Sequence, residues 1–92
     1  EKYDKKGYKL YQQNKIEEAY ENYSKSLEYN PNNVTVDSDI KKLKEQLAQK
    51  YYELGISKYT SGESEKAKEY FKKSLSYNPN KDETLRALER IK

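Results

Sequence analysis

The fold is decided by residues 19–31, AYENYSKSLEYNP, and by residues 67–79, AKEYFKKSLSYNP, which repeat the same pattern 48 residues later. Both segments carry Ala, Glu, an aromatic residue, Lys-Ser-Leu and Tyr-Asn-Pro in the same order and at the same spacing. Ala19, Tyr23 and Leu27 recur four residues apart, which places them on one face of an amphipathic helix. The residue before a proline avoids the helical region, so each helix is expected to end at its Asn-Pro pair.

A second helix precedes each of these segments. The two helices of each pair are separated by Asn14 or by Gly62, at a point where a tight turn requires a residue that tolerates positive φ. We therefore predict a first helix over about 2–13 and a second over about 15–28, with a similar pair in the second half. Two short helices joined by a tight turn form an antiparallel helical hairpin.

This pattern resembles the tetratricopeptide repeat, a helical hairpin of 34 residues with Gly, Ala, aromatic and Pro residues at set spacings. The matching positions of the first hairpin are Tyr3, Gly7, Ala19, Tyr23, Ser26 and Pro31. Those of the second hairpin are Tyr51, Gly55, Ala67, Phe71, Ser74 and Pro79. The resemblance implies an all-α fold of tandem antiparallel hairpins, which stack into an α-solenoid.

The period of 48 residues is longer than the 34 of the family, so residues 34–47 form an insert. No Gly or Pro interrupts the chain from Asn33 to Leu54, and Thr35 to Asp39 have the polar and acidic character of a helix start. We predict one long helix from about Asp37 to Thr60 that joins the two repeats. The predicted organisation is repeat 1 over 1–33, a helical insert over 34–47, repeat 2 over 48–81, and the start of a truncated third unit or a capping helix over 82–92.

The insert carries an apolar stripe, formed by Ile40, Leu43 and Leu47. Two alternatives follow from this stripe. It packs against the neighbouring hairpin of its own chain, or it pairs with a second copy of the protein. The second alternative predicts a weak homodimer and, as a function, a self-assembling scaffold or spacer joined through the long helices.

Composition argues against several classes of protein. The chain has no Cys and no His, which excludes disulfide frameworks, thiolate zinc sites and Cys or His nucleophiles. Basic and acidic residues number 19 and 16, so no continuous basic surface for nucleic acid is expected. Acidic groups such as Glu63, Glu65 and Glu69 lie among lysines, as solvated helix faces do. We expect a non-enzymatic protein without cofactor or metal.

The sequence contains no apolar stretch near the roughly 18 residues of a membrane span, and its start does not resemble a signal peptide. We therefore expect no direct membrane insertion, and the compartment stays open. Because the chain also lacks an initiating Met, we expect it to be a segment of a longer protein.

The resemblance also implies a function, which is to bind another protein or a peptide on a concave face lined by first helices. The contact residues that it implies are Asp4, Tyr8, Tyr11 and Gln12 in repeat 1, and Tyr52, Ile56 and Tyr59 in repeat 2. This set is aromatic and nearly uncharged, which favours an apolar or Pro-containing ligand. A simpler alternative for Tyr11 and Tyr59 is that they stack on each other and join the repeats. Some members grip a terminal carboxylate with Lys and Asn, which Asp4, Tyr8 and Ile56 replace here.

Overall fold

The computed structural model describes residues 2–91, and these residues form five α-helices. In chain order they are α1 (Lys2–Gln12), α2 (Ile16–Tyr29), α3 (Val34–Thr60), α4 (Ser64–Tyr77) and α5 (Asp82–Arg90). The expected all-α fold is confirmed, and α1 and α2 end within about one residue of the predicted bounds. The chain separates between Lys44 and Glu45 into two compact units. Unit 1 contains α1, α2 and the first part of α3, and unit 2 contains the rest of α3 with α4 and α5.

The turn inside each hairpin depends on one residue with positive φ, as predicted. Asn14 has φ 62° and Gly62 has φ 84°. In the first turn, the N–H of Lys15 donates to the carbonyl of Leu10 at 2.9 Å, and the N–H of Asn14 donates to that of Tyr11 at 2.9 Å. The same pair of bonds recurs at residues 62 and 63. This is the Schellman arrangement, which ends a helix while keeping its last carbonyls hydrogen-bonded.

The long helix α3 is confirmed, but it begins at Val34 rather than at Asp37. The residue that caps it is Asn33, whose Oδ1 accepts the N–H of Val36 at 3.1 Å. Asp37, which was expected at the helix start, lies inside the helix and forms a 3.4 Å ion pair with Lys41. With 27 residues α3 is about 40 Å long. Neither α3 nor any other helix within residues 2–91 is long and apolar enough to cross a membrane.

The core of unit 1 is an apolar cluster shared by α2 and α3. Its buried members are Ala19, Tyr23, Val36, Ile40 and Leu43. Ile40 is 6% exposed and Leu43 is 2% exposed, and Leu47 in unit 2 is fully buried. The burial of Ile40 and Leu43 agrees with the alternative in which the apolar stripe packs within its own chain. These side chains do not form an exposed face for a second copy.

The core of unit 2 joins α4 to α5. Its buried apolar members are Ala67, Phe71, Ala87 and Ile91. A buried polar pair lies within the same unit, since Ser74 Oγ donates to the carbonyl of Ala48 at 2.7 Å and lies 3.0 Å from Thr84 Oγ1. Serine has one hydroxyl hydrogen, so Thr84 is the donor in the second bond. The side-chain hydroxyls of both residues are therefore hydrogen-bonded inside the unit.

Tyrosine rings extend each core at its edge. Tyr3 stacks on Tyr29 with centroids 5.6 Å apart and planes 4° from parallel. Tyr51 stacks on Tyr77 at 6.1 Å and 10°, and the ammonium of Lys73 lies 4.7 Å above the Tyr51 ring. Each stacked pair contributes about 0.5–1.5 kcal/mol beyond the area that it buries. The 11 tyrosines thus offset part of the low apolar content of the chain.

The helices of each hairpin approach closely where a glycine faces an aromatic ring. A Cβ atom on Gly55 would lie 2.5 Å from Cε1 of Phe71, and one on Gly7 would lie 3.0 Å from Cδ1 of Tyr23. The three atoms nearest to the Gly55 position all belong to Phe71 rather than to Ala67. Because Phe71 is only 1% exposed, its ring has little room to move away.

Replacing Gly55 by alanine should therefore destabilise the protein. Alanine favours a helix by about 1 kcal/mol over glycine, but overpacking against Phe71 should lower the free energy of unfolding by a net 1–3 kcal/mol, roughly. Urea denaturation followed by circular dichroism measures this change. Gly7→Ala is the matched control and should cost less, because its Cβ meets the ring at a longer distance. A Gly55→Ala protein as stable as the native chain would contradict the contact.

Replacing Leu43 by alanine should test the packing of the insert. Leu43 is buried within unit 1, so the substitution should lower the free energy of unfolding by about 2–4 kcal/mol through a cavity. The loss should be the same at low and high protein concentration, because no second copy takes part. A melting temperature of the native chain that rises with concentration, and no longer does so in Leu43→Ala, would instead indicate pairing between chains.

Candidate functional site

In unit 1 a pocket of about 150 Å³ opens between α1, α2 and the first part of α3. We call it the unit 1 pocket, and it is lined by Tyr8, Tyr11, Tyr23, Asp39, Lys42 and Leu43. Tyr8 is 56% exposed and Tyr11 is 42% exposed, whereas Tyr23 is buried. The rings of α1 therefore form the open sides of the pocket, and Tyr23 lies at its base. A cavity of this volume is large enough for a group of the size of benzene.

An open cleft adjoins the unit 1 pocket. The two share Tyr8, Tyr23 and Asp39 among their lining residues, and the cleft adds Asp4 and Lys5 from α1. The carboxylate of Asp4 accepts the backbone N–H of Lys5 at 2.8 Å. The pocket and the cleft thus form a continuous surface with aspartates on both α1 and α3.

Negative charge acts on the base of the unit 1 pocket. Burial raises the pKa of the Tyr23 hydroxyl, and the carboxylates of Asp39 and then of Asp4 raise this pKa further. Asp39 is half-buried, and within residues 2–91 its carboxylate has no ion-pair partner, although Lys42 lies one turn further along α3. The Tyr23 hydroxyl therefore loses its proton less readily than that of a free tyrosine, first because it is buried and then because the two aspartates are near.

Unit 2 has a pocket at the corresponding positions, 48 residues further along the chain. It is lined by Ile56, Tyr59, Phe71, Ala87 and Arg90. Its volume is about 30 Å³, which is the room that one water molecule occupies. We call it the unit 2 pocket. It has an isoleucine in place of Tyr8 and an alanine in place of Asp39, and there is no carboxylate among these residues.

Five of the seven sequence-predicted contact residues lie at one of the two pockets or at the adjoining cleft. Tyr8 and Tyr11 line the unit 1 pocket, Ile56 and Tyr59 line the unit 2 pocket, and Asp4 lies in the adjoining cleft. Tyr11 and Tyr59 each belong to the pocket of their own unit. Gln12 is exposed at the end of α1.

Tyr52 lines neither the unit 1 pocket nor the unit 2 pocket, and like Ile56 it packs against the apolar cluster of unit 2. Its ring centroid lies 6.0 Å from that of Phe71, and the ammonium of Lys81 lies 5.7 Å above the ring. The ring of Tyr52 therefore has contacts on two sides within unit 2.

Sequence reasoning missed four residues of the unit 1 pocket, which are Tyr23, Asp39, Lys42 and Leu43. Tyr23 was predicted as a family-motif position and Leu43 as part of the apolar stripe, for which two alternatives were open, and both residues line the pocket. The spacing of Asp39, Lys42 and Leu43 places them on one face of a helix, and this could have indicated a common surface. The spacing could not show that this surface lies beside α1.

Glu63, the acidic residue directly before α4, has polar and basic partners. Glu63 accepts a hydrogen bond from Ser61 Oγ at 3.0 Å and pairs with Lys58 at 3.3 Å. The bond from Ser61, followed by the charge of Lys58, lowers the pKa of the Glu63 carboxyl, so this group is ionised near neutral pH. No cluster of three or more acidic side chains within residues 2–91 is placed to hold a metal ion.

Comparison with known families gives a match in each half of the chain. Residues 7–36 match a family model described as TPR repeat, and residues 48–81 match one described as tetratricopeptide repeat. Together the two matches cover more than half of the chain. The pocket residues from 39–43 and from 87–90 lie outside both matches. No curated protein and no solved structure gives a significant match.

Replacing Tyr23 by phenylalanine, the residue at the corresponding position of unit 2, should change the response to alkaline pH. An unfolded tyrosine loses its proton near pH 10, and the folded chain holds the Tyr23 proton to higher pH. Between about pH 9 and about pH 11 the unfolded state therefore binds fewer protons than the folded state, and the free energy of unfolding falls as the pH rises. The melting temperature of Tyr23→Phe should fall less than that of the native chain between about pH 9 and about pH 11.

The control for this experiment is Tyr29→Phe, which removes the hydroxyl of an exposed ring. It should keep the pH dependence of the native chain. If Tyr23→Phe and Tyr29→Phe behave alike, the burial of the Tyr23 hydroxyl does not influence stability.

Proposed function

The chain belongs to the tetratricopeptide repeat family, whose repeats are generally protein–protein interaction modules, and we propose that it binds a peptide segment of a partner protein through the unit 1 pocket. The peptide would lie along the surface that α1 presents beside the first part of α3. One of its side chains would enter the pocket between Tyr8 and Tyr11. The function is non-enzymatic binding.

The observation that carries this proposal is the exposure of two large aromatic rings at a pocket. Tyr8 and Tyr11 are 56% and 42% exposed, and both line the same cavity of about 150 Å³. Exposed tyrosines beside a concavity are typical of interface residues, because the ring supplies apolar area and the hydroxyl supplies a hydrogen bond. The pocket has room for one side chain of a ligand.

The remaining predicted contact residues have smaller roles in the proposed binding. Asp4 and Gln12 lie on the exposed side of α1 and would flank the bound peptide. Ile56 and Tyr59 would contact a ligand only at the surface, because the unit 2 pocket holds little more than a water molecule. Tyr52 is left out of the binding set, since it lines neither pocket and its ring already contacts Phe71 and the Lys81 ammonium.

Self-assembly through the long helix is the alternative function. It would require the stripe of Ile40, Leu43 and Leu47 to meet a second copy. All three side chains are buried in the single chain, at 6%, 2% and 0% exposure. Exposing them would remove their present contacts, so we favour peptide binding over the scaffold.

Peptide selection tests the proposed function. Peptides selected from a phage-displayed random library against the immobilised chain should bind it in fluorescence anisotropy measurements. Tyr8→Ala combined with Tyr11→Ala should weaken that binding at least about tenfold, because buried aromatic anchors dominate such interfaces. The far-UV circular dichroism of the variant should stay unchanged, since both rings are exposed.

Glu21→Lys is the control, because Glu21 is exposed on α2 and lines neither pocket. It should leave the affinity nearly unchanged. Equal weakening by Glu21→Lys and by the double tyrosine variant would show that the unit 1 pocket is not the binding site. Unchanged affinity in the double variant would show the same.

A further inference from the structure

We propose that the unit 1 pocket is selective for a positively charged side chain, a lysine or an arginine of the bound peptide. This inference deepens the proposed function and rests on it. It assigns the chemistry of the ligand, which the family resemblance does not supply. The sequence pattern alone favoured an apolar ligand, because the predicted contact set did not contain the charged residues of α3.

The first reason is the number of aromatic rings. Tyr8, Tyr11 and Tyr23 line one cavity, and each ring face carries the negative side of its quadrupole. A cation placed over several such faces is attracted to each of them, and the attraction grows as water is excluded. The long apolar stem of lysine or arginine can pack along the same rings while the charged end reaches the polar side of the pocket.

The second reason is the position of the carboxylates. Asp39 lines both the pocket and the adjoining cleft, and Asp4 lines the cleft. Both are half-buried, and the Asp39 carboxylate has no ion-pair partner within residues 2–91. Their effect on the Tyr23 hydroxyl places negative potential at the base of the pocket.

Two lysines also lie at this surface, and they must be weighed against the aspartates. Lys42 lines the pocket and Lys5 lines the cleft, but both are exposed, so water and salt screen their charges. A charge in a partly desolvated position acts more strongly on a bound group than a solvated charge at the rim. The aspartates therefore determine that the pocket prefers a positively charged group.

The third reason is the contrast with the unit 2 pocket. The same positions of that unit carry Ile56, Ala87 and Arg90, so it has one ring fewer on its open side and no carboxylate. Its volume of about 30 Å³ does not admit a side chain. Since the two hairpins belong to one family, the difference comes from the side chains that line the pockets rather than from the hairpin itself.

Nuclear magnetic resonance titration of the full chain tests the selectivity. The probes are three blocked peptides, acetyl-Ala-Ala-X-Ala-Ala-amide, in which X is lysine, norleucine or glutamate, at constant ionic strength. The lysine peptide should shift the amide signals of Tyr8, Tyr11 and Asp39 in a saturable manner. Its dissociation constant should be at least about tenfold lower than that of the glutamate peptide, with the norleucine peptide between them.

Asp39→Ala installs the residue that unit 2 carries at the same position. It should weaken binding of the lysine peptide at least about fivefold and leave binding of the norleucine peptide unchanged. Asp37→Ala is the matched control. It removes the same charge from the same helix, but Asp37 is exposed, pairs with Lys41 and does not line the pocket. It should leave binding of the lysine peptide within about twofold of native.

Several outcomes would overturn the inference. A glutamate peptide that binds as tightly as the lysine peptide, with shifts at Tyr8 and Tyr11, would refute the selectivity while leaving the peptide-binding function intact. Equal losses of affinity for the lysine peptide in Asp39→Ala and Asp37→Ala would show that the effect comes from the net charge of the protein and not from the pocket. Tighter binding of choline than of the lysine peptide would assign the pocket to a small free cation. If no probe shifts the amide signals of Tyr8 or Tyr11, the inference fails. The proposed function is then tested on its own by the peptide selection.

Discussion

In each unit the second helix approaches the first closely because a glycine faces an aromatic ring. A Cβ on Gly55 would meet Phe71 at 2.5 Å, and one on Gly7 would meet Tyr23 at 3.0 Å. The same two rings line the pockets of their units from beneath. The close approach of the helices therefore fills the core. It also fixes the position of the aromatic ring at the base of the pocket. Any change that separates the helices would move the ring and alter the pocket with it.

The third helix of each unit explains how so polar a chain folds. With 33% apolar residues, a hairpin alone has little surface to bury, and the exposed face of its second helix needs a cover. The first part of α3 supplies this cover in unit 1 through Ile40 and Leu43, and α5 supplies it in unit 2 through Ala87 and Ile91. The 48-residue period is thus a hairpin together with the helix that completes its core.

The elements that local rules govern could be predicted from the sequence. The turns at Asn14 and Gly62 depend on positive φ, and the continuity of α3 was predicted from the absence of Gly and Pro between Asn33 and Leu54. The cap at Asn33 was not predicted, because several polar residues follow it and each could serve as a cap. The pocket residue Asp39 was missed for a different reason. Its place in the site depends on which helix lies beside α1, and periodicity within one helix does not contain that information.

The internal repeat separates the residues that the fold requires from those that can carry a function. Gly7 and Gly55, Ala19 and Ala67, and the two Asn-Pro pairs occupy matching positions in the two units, because close packing and helix ends leave few alternatives. The positions that line the open sides of the pockets differ, with Tyr8 and Asp39 in unit 1 against Ile56 and Ala87 in unit 2. Tyr8 is exposed and Asp39 and Ile56 are half-buried, whereas Ala87 belongs to the buried core of unit 2. The two units therefore share a hairpin, but the side chains that line their pockets differ.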